Sequence, residues 1–262
     1  PRTPKHAMGN FDGDWPREAA IDFGSLGVWM YNDGTWTQLT AENPESLLAA
    51  NVVGDSLDEV LADFGALGLW VWNAGTWDQL SQADAGCLAA GDVDADGTDE
   101  VLVNFVAGGL WLWNAGAWNQ LTGVNADQVA TGDLDGAGGD DEIVADFGAA
   151  GLWMLDSDVW TQLSAVNPDY FLVDNIDYDD SWEILGDFGS SGWWWWNDGT
   201  WEQASAVNPD YFITVKFDPD GPGGDSFIGD FGGTGFWRTG VSGWYQISSL
   251  DAEFMISGNW EA

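Results

Sequence analysis

The sequence predicts an all-β fold, a β-propeller of six blades with four antiparallel strands each, and three observations carry that expectation. Near-copies of one stretch begin at Asp22, Asp63, Asn104, Asp146, Asp187 and Asp230, so the period is 41, 41, 42, 41 and 43 residues. A fixed period of roughly 40–50 residues marks solenoids, propellers and arrays. Each copy holds four short apolar segments, none long enough for a helix, separated by Gly, Asn and Asp. Both faces of those segments are apolar, which is satisfied when similar sheets stand on either side. A seven-bladed ring, or a piece of a longer propeller, meets the same observations.

The third repeat shows the elements most cleanly. Cys87 to Asp92 is small and apolar, Glu100 to Phe105 is aliphatic, and Leu110 to Asn114 and Ala117 to Thr122 alternate. Gly108-Gly109 and Asn114-Ala115-Gly116 punctuate them as tight hairpins, because Gly and Asn tolerate positive φ. Trp111 and Trp113 share one face while Leu110 and Leu112 point the other way. The first strand is rich in Ala and Gly, as crowding near an axis demands, and is placed innermost. Repeats starting near residues 6, 47, 87, 128, 171 and 212 then make residues 1–262 a single domain, with a surplus strand at 253–260 that either closes the last blade or belongs to a continuing chain.

Composition narrows the partners. Against 44 acidic residues stand five Lys and Arg, a formal charge of −39 that repels nucleic acid and anionic membranes and attracts cations. With 45% hydrophobic residues and 20 Trp the chain has ample apolar surface for a core, so disorder is excluded. The single cysteine, Cys87, reads as a buried, inert thiol. No apolar run approaches 18 residues, so no membrane insertion is expected.

Between the first and second strands each repeat carries an acidic loop. In the third, Asp92, Asp94 and Asp96 occupy alternate positions, Gly97 permits the turn and Glu100 closes it. Oxygens at such a spacing converge on one hard cation that takes six to eight of them, so Ca2+ is expected. The first loop (Asn10, Asp12, Asp14, Glu18) and the fifth (Asn175, Asp177, Asp179, Glu183) keep the spacing; the fourth keeps Asp133, Asp135 and Glu142 around an insertion bearing Asp140. The second, with Val53 between Asn51, Asp55 and Glu59, is expected to be weak or empty, and the sixth, with Lys216 ahead of Asp218, Asp220 and Asp225, is doubtful. Turn propensity alone accounts for Asp, Asn and Gly in any one loop, but not for four loops that keep the odd positions while the even ones change.

The unit Asp92-Val93-Asp94-Ala95-Asp96-Gly97-Thr98-Asp99-Glu100-Val101-Leu102-Val103, followed by Phe105, together with Asp-Phe-Gly at 63–65, 146–148 and 187–189, resembles the FG-GAP/VCBS repeats of integrin-type propellers over essentially the whole chain. The resemblance implies a calcium-stabilised propeller of secreted or surface proteins concerned with adhesion, one branch of which consists of lectins with sugar pockets between blades. The richness in Trp and the shorter repeats lean towards that branch.

Trp recurs in every repeat at two positions, as at Trp70 and Trp77 or Trp111 and Trp118, a uniformity that favours architecture, with Gln79 and Gln120 as polar neighbours for the ring N–H groups. Two residues beyond the first set the side chain varies, and four repeats pair an aromatic with Asn: Tyr31 with Asn32, Trp72 with Asn73, Trp113 with Asn114, and Trp196 with Asn197. An aromatic face plus an amide is what a sugar needs, although the same rings would serve to extend blade packing. The run Trp193-Trp194-Trp195-Trp196 reads either as a larger patch or as compensating bulk.

Catalysis finds little support. His6 is the sole histidine, so no His-based triad or zinc site assembles, and the acids belong to repeated loops rather than to an isolated pair. The reading is a calcium-stabilised, lectin-like propeller; the alternative is a non-catalytic adhesive module of a larger surface protein with a protein partner. Calcium loops of extracellular modules work at about 10⁻⁴–10⁻³ M, which places the expectation outside the cell or at its surface.

Overall fold

The computed structural model describes residues 5–14, 17–176, 179–215, 226–240 and 243–251. Among these the regular structure is strand, apart from single 3-10 turns, and no helix is long and apolar enough to cross a membrane. Six four-stranded antiparallel sheets follow one another along the chain, each paired in sequence order. The first three are His6–Gly9, Glu18–Asp22, Val28–Asn32 and Thr35–Thr40; Ser46–Ala50, Glu59–Asp63, Leu69–Asn73 and Thr76–Ser81; and Ala85–Gly91, Glu100–Phe105, Gly109–Asn114 and Ala117–Thr122. The others are Gln128–Gly132, Glu142–Asp146, Leu152–Asp156 and Val159–Ser164; Tyr170–Asp174, Glu183–Asp187, Trp193–Asn197 and Thr200–Ser205; and Tyr211–Val215, Ser226–Asp230, Phe236–Gly240 and Gly243–Ser248. The chain divides into two compact units, residues 1–131 with 143–148 and residues 132–142 with 149–262. The surplus strand expected at 253–260 lies outside the described residues.

In the first unit the core lies between neighbouring sheets, as two apolar faces per sheet require. Ala7, Ala20, Val28 and Met30 of the first blade pack against Leu47, Val60 and Ala62 of the second. Leu61, Leu69 and Val71 turn to Val101 and Val103 of the third. The second strand is thus buried along its whole length, and its alternate residues serve different neighbours. The small first strands lie beside one another, His6–Gly9 next to Ser46–Ala50 and that next to Ala85–Gly91, which is where small residues were expected. In the second unit Ile176, Leu185 and Trp193 pack against Phe212 and Phe227.

Two hydrogen-bond devices repeat. In all six blades the first Trp and the Gln four or more residues beyond the hairpin donate to one carbonyl rather than bonding each other: Trp70 Nε1 and Gln79 Nε2 both reach the Leu67 oxygen at 2.9 Å, and Trp29 with Gln38, Trp111 with Gln120, Trp153 with Gln162, Trp194 with Gln203 and Trp237 with Gln246 do the same. Trp Nε1–H and Gln Nε2–H are both donors, and one carbonyl with two lone pairs accepts from both. The second Trp ties a blade to its predecessor, Trp77 to the Leu39 carbonyl and Trp118 to that of Leu80 in the first unit, Trp201 to Leu163 and Trp244 to Ala204 in the second.

The connections differ in kind. Between the second and third strands five blades make a 3-10 turn rather than a two-residue hairpin; in the second blade Phe64 N–H donates to Gly68 and Gly68 N–H to Gly65. The third blade instead closes a turn over residues 106–108, in which Gly108 N–H donates to the Phe105 carbonyl. Gly68 has φ +84°, and a Cβ there would collide with the Ser81 carbonyl, so only Gly fits. Between the third and fourth strands Asn114 pairs with Ala117, and Ala115 and Gly116 at φ 45° and 91° form the two-residue hairpin that the sequence signals.

The four-Trp run is resolved as compensating bulk at Trp193. Its ring is fully buried, 4.8 Å from Phe212 and 5.4 Å from Phe227, in space left by Gly229, where the second repeat has Ala62.

Candidate functional site

The acidic loops lie at the start of the second strand, where the backbone leaves the first strand and folds over a buried glutamate. Glu18, Glu59, Glu100, Glu142 and Glu183 are all buried, and each accepts from a loop amide: Phe11 at 2.7 Å, Val52 at 2.9 Å, Val93 at 2.9 Å, Leu134 at 2.6 Å and Ile176 at 2.6 Å. Burial pushes Glu59, Glu100 and Glu142 up to about 7, with neighbouring carboxylates adding to the rise, and raises Glu18 in the same way.

Three loops bring carboxylate oxygens within 4.8 Å of one another: Asp12, Asp14 and Glu18; Asp92, Asp94 and Asp96; Asp133, Asp135 and Glu142. Turn hydrogen bonds hold them. Asn10 accepts from Gly13, Asp12 from Asp14, Asp92 from Asp96 and Gly97, Asp133 from Gly136 and Asp135 from Ala137. Asp14 is raised chiefly by the charge of Asp12, a repulsion that a cation between them would reverse. The residues fit a hard divalent ion, because Glu18, only 2% exposed, keeps Oε1 buried with no hydrogen-bond partner among the described residues while its Oε2 is engaged. Asp140, on the insertion, is not among the converging acids. In the fifth loop Asn175 donates to the Asp179 carbonyl and Asp179 accepts from Ser181; Asp177 lies outside the described residues, as do Lys216, Asp218, Asp220 and Asp225 of the sixth. In the second, Val53 is 48% exposed and no three carboxylates converge there.

A role that spacing alone did not disclose belongs to the acid just before the glutamate. Asp58 accepts from the Asn10 amide at 2.7 Å and returns its own N–H to the Asn10 carbonyl at 2.8 Å; Asp99 does both to Asn51, each at 2.8 Å. In the first unit, therefore, these two acids clasp each loop to the one before it.

The aromatic-plus-Asn pairs sit beside the same loops. Asn32 donates to Asp12 at 2.6 Å and Asn114 to Asp94 at 2.8 Å, so those amides orient loop acids. Trp72 and Trp113 are half-buried against the interblade cores, Trp196 is buried, and Tyr31 is exposed against Trp36, 5.0 Å away. Asn73 and Asn197 end their third strands opposite Thr76 and Thr200.

Open grooves lie instead over the uniform Trp positions. One of about 550 Å³ is lined by Phe64, Leu67, Trp70, Trp77, Glu42 and Gln82 among others. A second of about 530 Å³ is lined by Phe105, Val106, Trp111, Trp118 and Asp84. In the second unit Val166, Phe188, Trp194 and Trp201 line a smaller one of about 240 Å³.

No family model and no curated protein matches the sequence. Among solved structures, BBS1N in complex with ARL6DN, from crystals soaked with lead, superposes with a TM-score of 0.64 over 93% of this chain and 80% of that one, at 8% identity. The fold is that of a β-propeller. The same complex soaked with mercury gives 0.62 over 91% of this chain and 78% of that one, at 11% identity. At such identity the likeness concerns this propeller's backbone architecture alone.

Proposed function

We propose that this propeller is a non-catalytic protein-binding module of FG-GAP/VCBS character, with calcium in its acidic loops and a location outside the cell or at its surface. The observation that carries the reading is the recurring apolar groove. Its Trp and Gln donors already meet the turn carbonyl or the preceding blade, as Trp70, Gln79 and Trp77 do, which leaves apolar faces and an acidic rim of Glu42 or Asp84. Such a surface suits a polypeptide that offers aliphatic and basic side chains more than a sugar, whose hydroxyls need several directed partners. BBS1N, of the same fold, is itself in complex with a protein partner.

The test is a peptide array of segments pairing aliphatic with basic residues, run beside a glycan array, both in calcium. The expected result is peptide binding that Leu67→Glu with Val106→Glu abolishes without lowering the melting temperature, since both side chains are exposed. A discrete set of bound glycans, lost on Trp113→Ala and Trp196→Ala, would restore the lectin reading instead.

A further inference from the structure

The second strand of the second blade carries a buried acid at each end. Glu59 belongs to the acidic loop; Asp63, 1% exposed, stands at the far end, about 13 Å along the strand. Asp63 Oδ1 accepts from the Gly65 amide at 3.1 Å and the Ala85 amide also favours the carboxylate, but Oδ2 is buried and makes no hydrogen bond of good geometry among the described residues. Glu45 and Asp84, both exposed, bring carboxylate oxygens within 4.8 Å of it. Gly65 makes room for Glu45, whose Oε1 a Cβ there would strike.

At two of the equivalent acids the second oxygen has a donor. Asp187 Oδ2 accepts from the amide of Asn208 at 3.2 Å. Asp22 Oδ2 meets the Lys5 ammonium at 3.2 Å, which also donates to the Pro44 carbonyl at 2.8 Å. Asp84 stands where four other repeats have Asn43, Asn125, Asn167 and Asn208 and the last has Asp251, so here an acceptor replaces the usual donor. The first blade solves the same problem with a positive charge.

We propose that Glu45, Asp63 and Asp84 hold one hard divalent cation of the calcium type, in a site separate from the acidic loops. Three carboxylates and water provide the all-oxygen set that calcium takes, and a buried carboxylate with a free oxygen is stabilised by a cation or donor, failing which it takes up a proton. Burial, then Asp84 and Glu45, push Asp63 up to about 6, as expected of an acid awaiting such a partner.

The test compares the wild-type chain with Asp84→Asn, which installs the amide of four other repeats, by equilibrium dialysis against millimolar calcium and by thermal melts. The variant is expected to bind one calcium fewer per chain, to melt higher than wild type in chelator, and to gain less from added calcium. Equal stoichiometry in the two proteins would overturn the proposal. So would a variant that in chelator melts at or below wild type. The loop acids are intact in both proteins, and peptide binding is not part of the readout, so neither the loops nor the proposed function decides the outcome.

Discussion

Glu59 and Asp146 show how burial shapes the acids of this protein. Burial is the leading cause that pushes Glu59 up to about 7 and Asp146 up to about 6. The native state then holds a proton that the unfolded chain, near the ordinary carboxylate range, has released. Protons bound in excess by the native state make stability fall as pH rises, so Glu59 favours folding below about 4.5 and its contribution is lost by about 7. Urea melts in chelator from pH 5 to pH 8 should therefore show declining stability, with a shallower decline in Glu59→Gln, whose amide oxygen still accepts from Val52. An unchanged slope would mean that Glu59 is ordinary. The same reasoning at Asp12 runs the other way, since the Asp14 amide and Asn32 lower it.

At the scale of elements, the hairpin between third and fourth strands is built from two residues with positive φ, and its sequence is graded along the chain. Asp33-Gly34, Ala74-Gly75, Ala115-Gly116 and Asp198-Gly199 place Gly second, whereas the fourth blade has Ser157-Asp158, with Asp158 at φ 66°. A residue with a Cβ in the left-handed region is strained by about 1–2 kcal/mol, less for Asp. Asp158→Gly should therefore stabilise the protein by about 0.5–1 kcal/mol, read as a higher urea midpoint at constant slope. A lower midpoint would show that the Asp158 side chain contributes more than its backbone strain removes. The strands themselves needed no such adjustment: Glu100–Phe105 and Ala117–Thr122 span what their sequences indicate, while the first strand of that blade begins at Ala85, two residues early, across a register shift between Asn104 and Phe105.

For the whole molecule the dominant fact is a formal charge of −39, much of it gathered in loops where carboxylates face one another. If the proposed ions bind the native loops, they stabilise such a chain more than screening alone does, because the convergent site is absent from the unfolded state. With sites of about 10⁻⁴–10⁻³ M, some 10 mM calcium stabilises by about 1.4–2.7 kcal/mol for each loop filled. Removing calcium with chelator should lower the melting temperature, and sodium chloride of matched ionic strength should not restore it. A melt indifferent to calcium would overturn the loop sites and leave the acids to solubility.

The sequence by itself determined the repeat, the four strands of each blade and the acids at alternate loop positions, because period and alternation are properties of neighbouring residues. It also marked Asp84 and Asp251 as the two acids in a column that is otherwise Asn. Only the tertiary structure decided what these residues meet. Asp84 reaches Asp63 and Glu45, Asp58 and Asp99 clasp the preceding loop, and Asn32 and Asn114 turn to loop acids, all through contacts between residues some 18 to 48 apart in the chain. Trp77 and Trp118, uniform in the sequence, proved to be both interblade ties and groove walls. The physical reason is common to them: a polar side chain finds its partner far along the chain, and the local pattern says that the group is there but not which distant residue it binds.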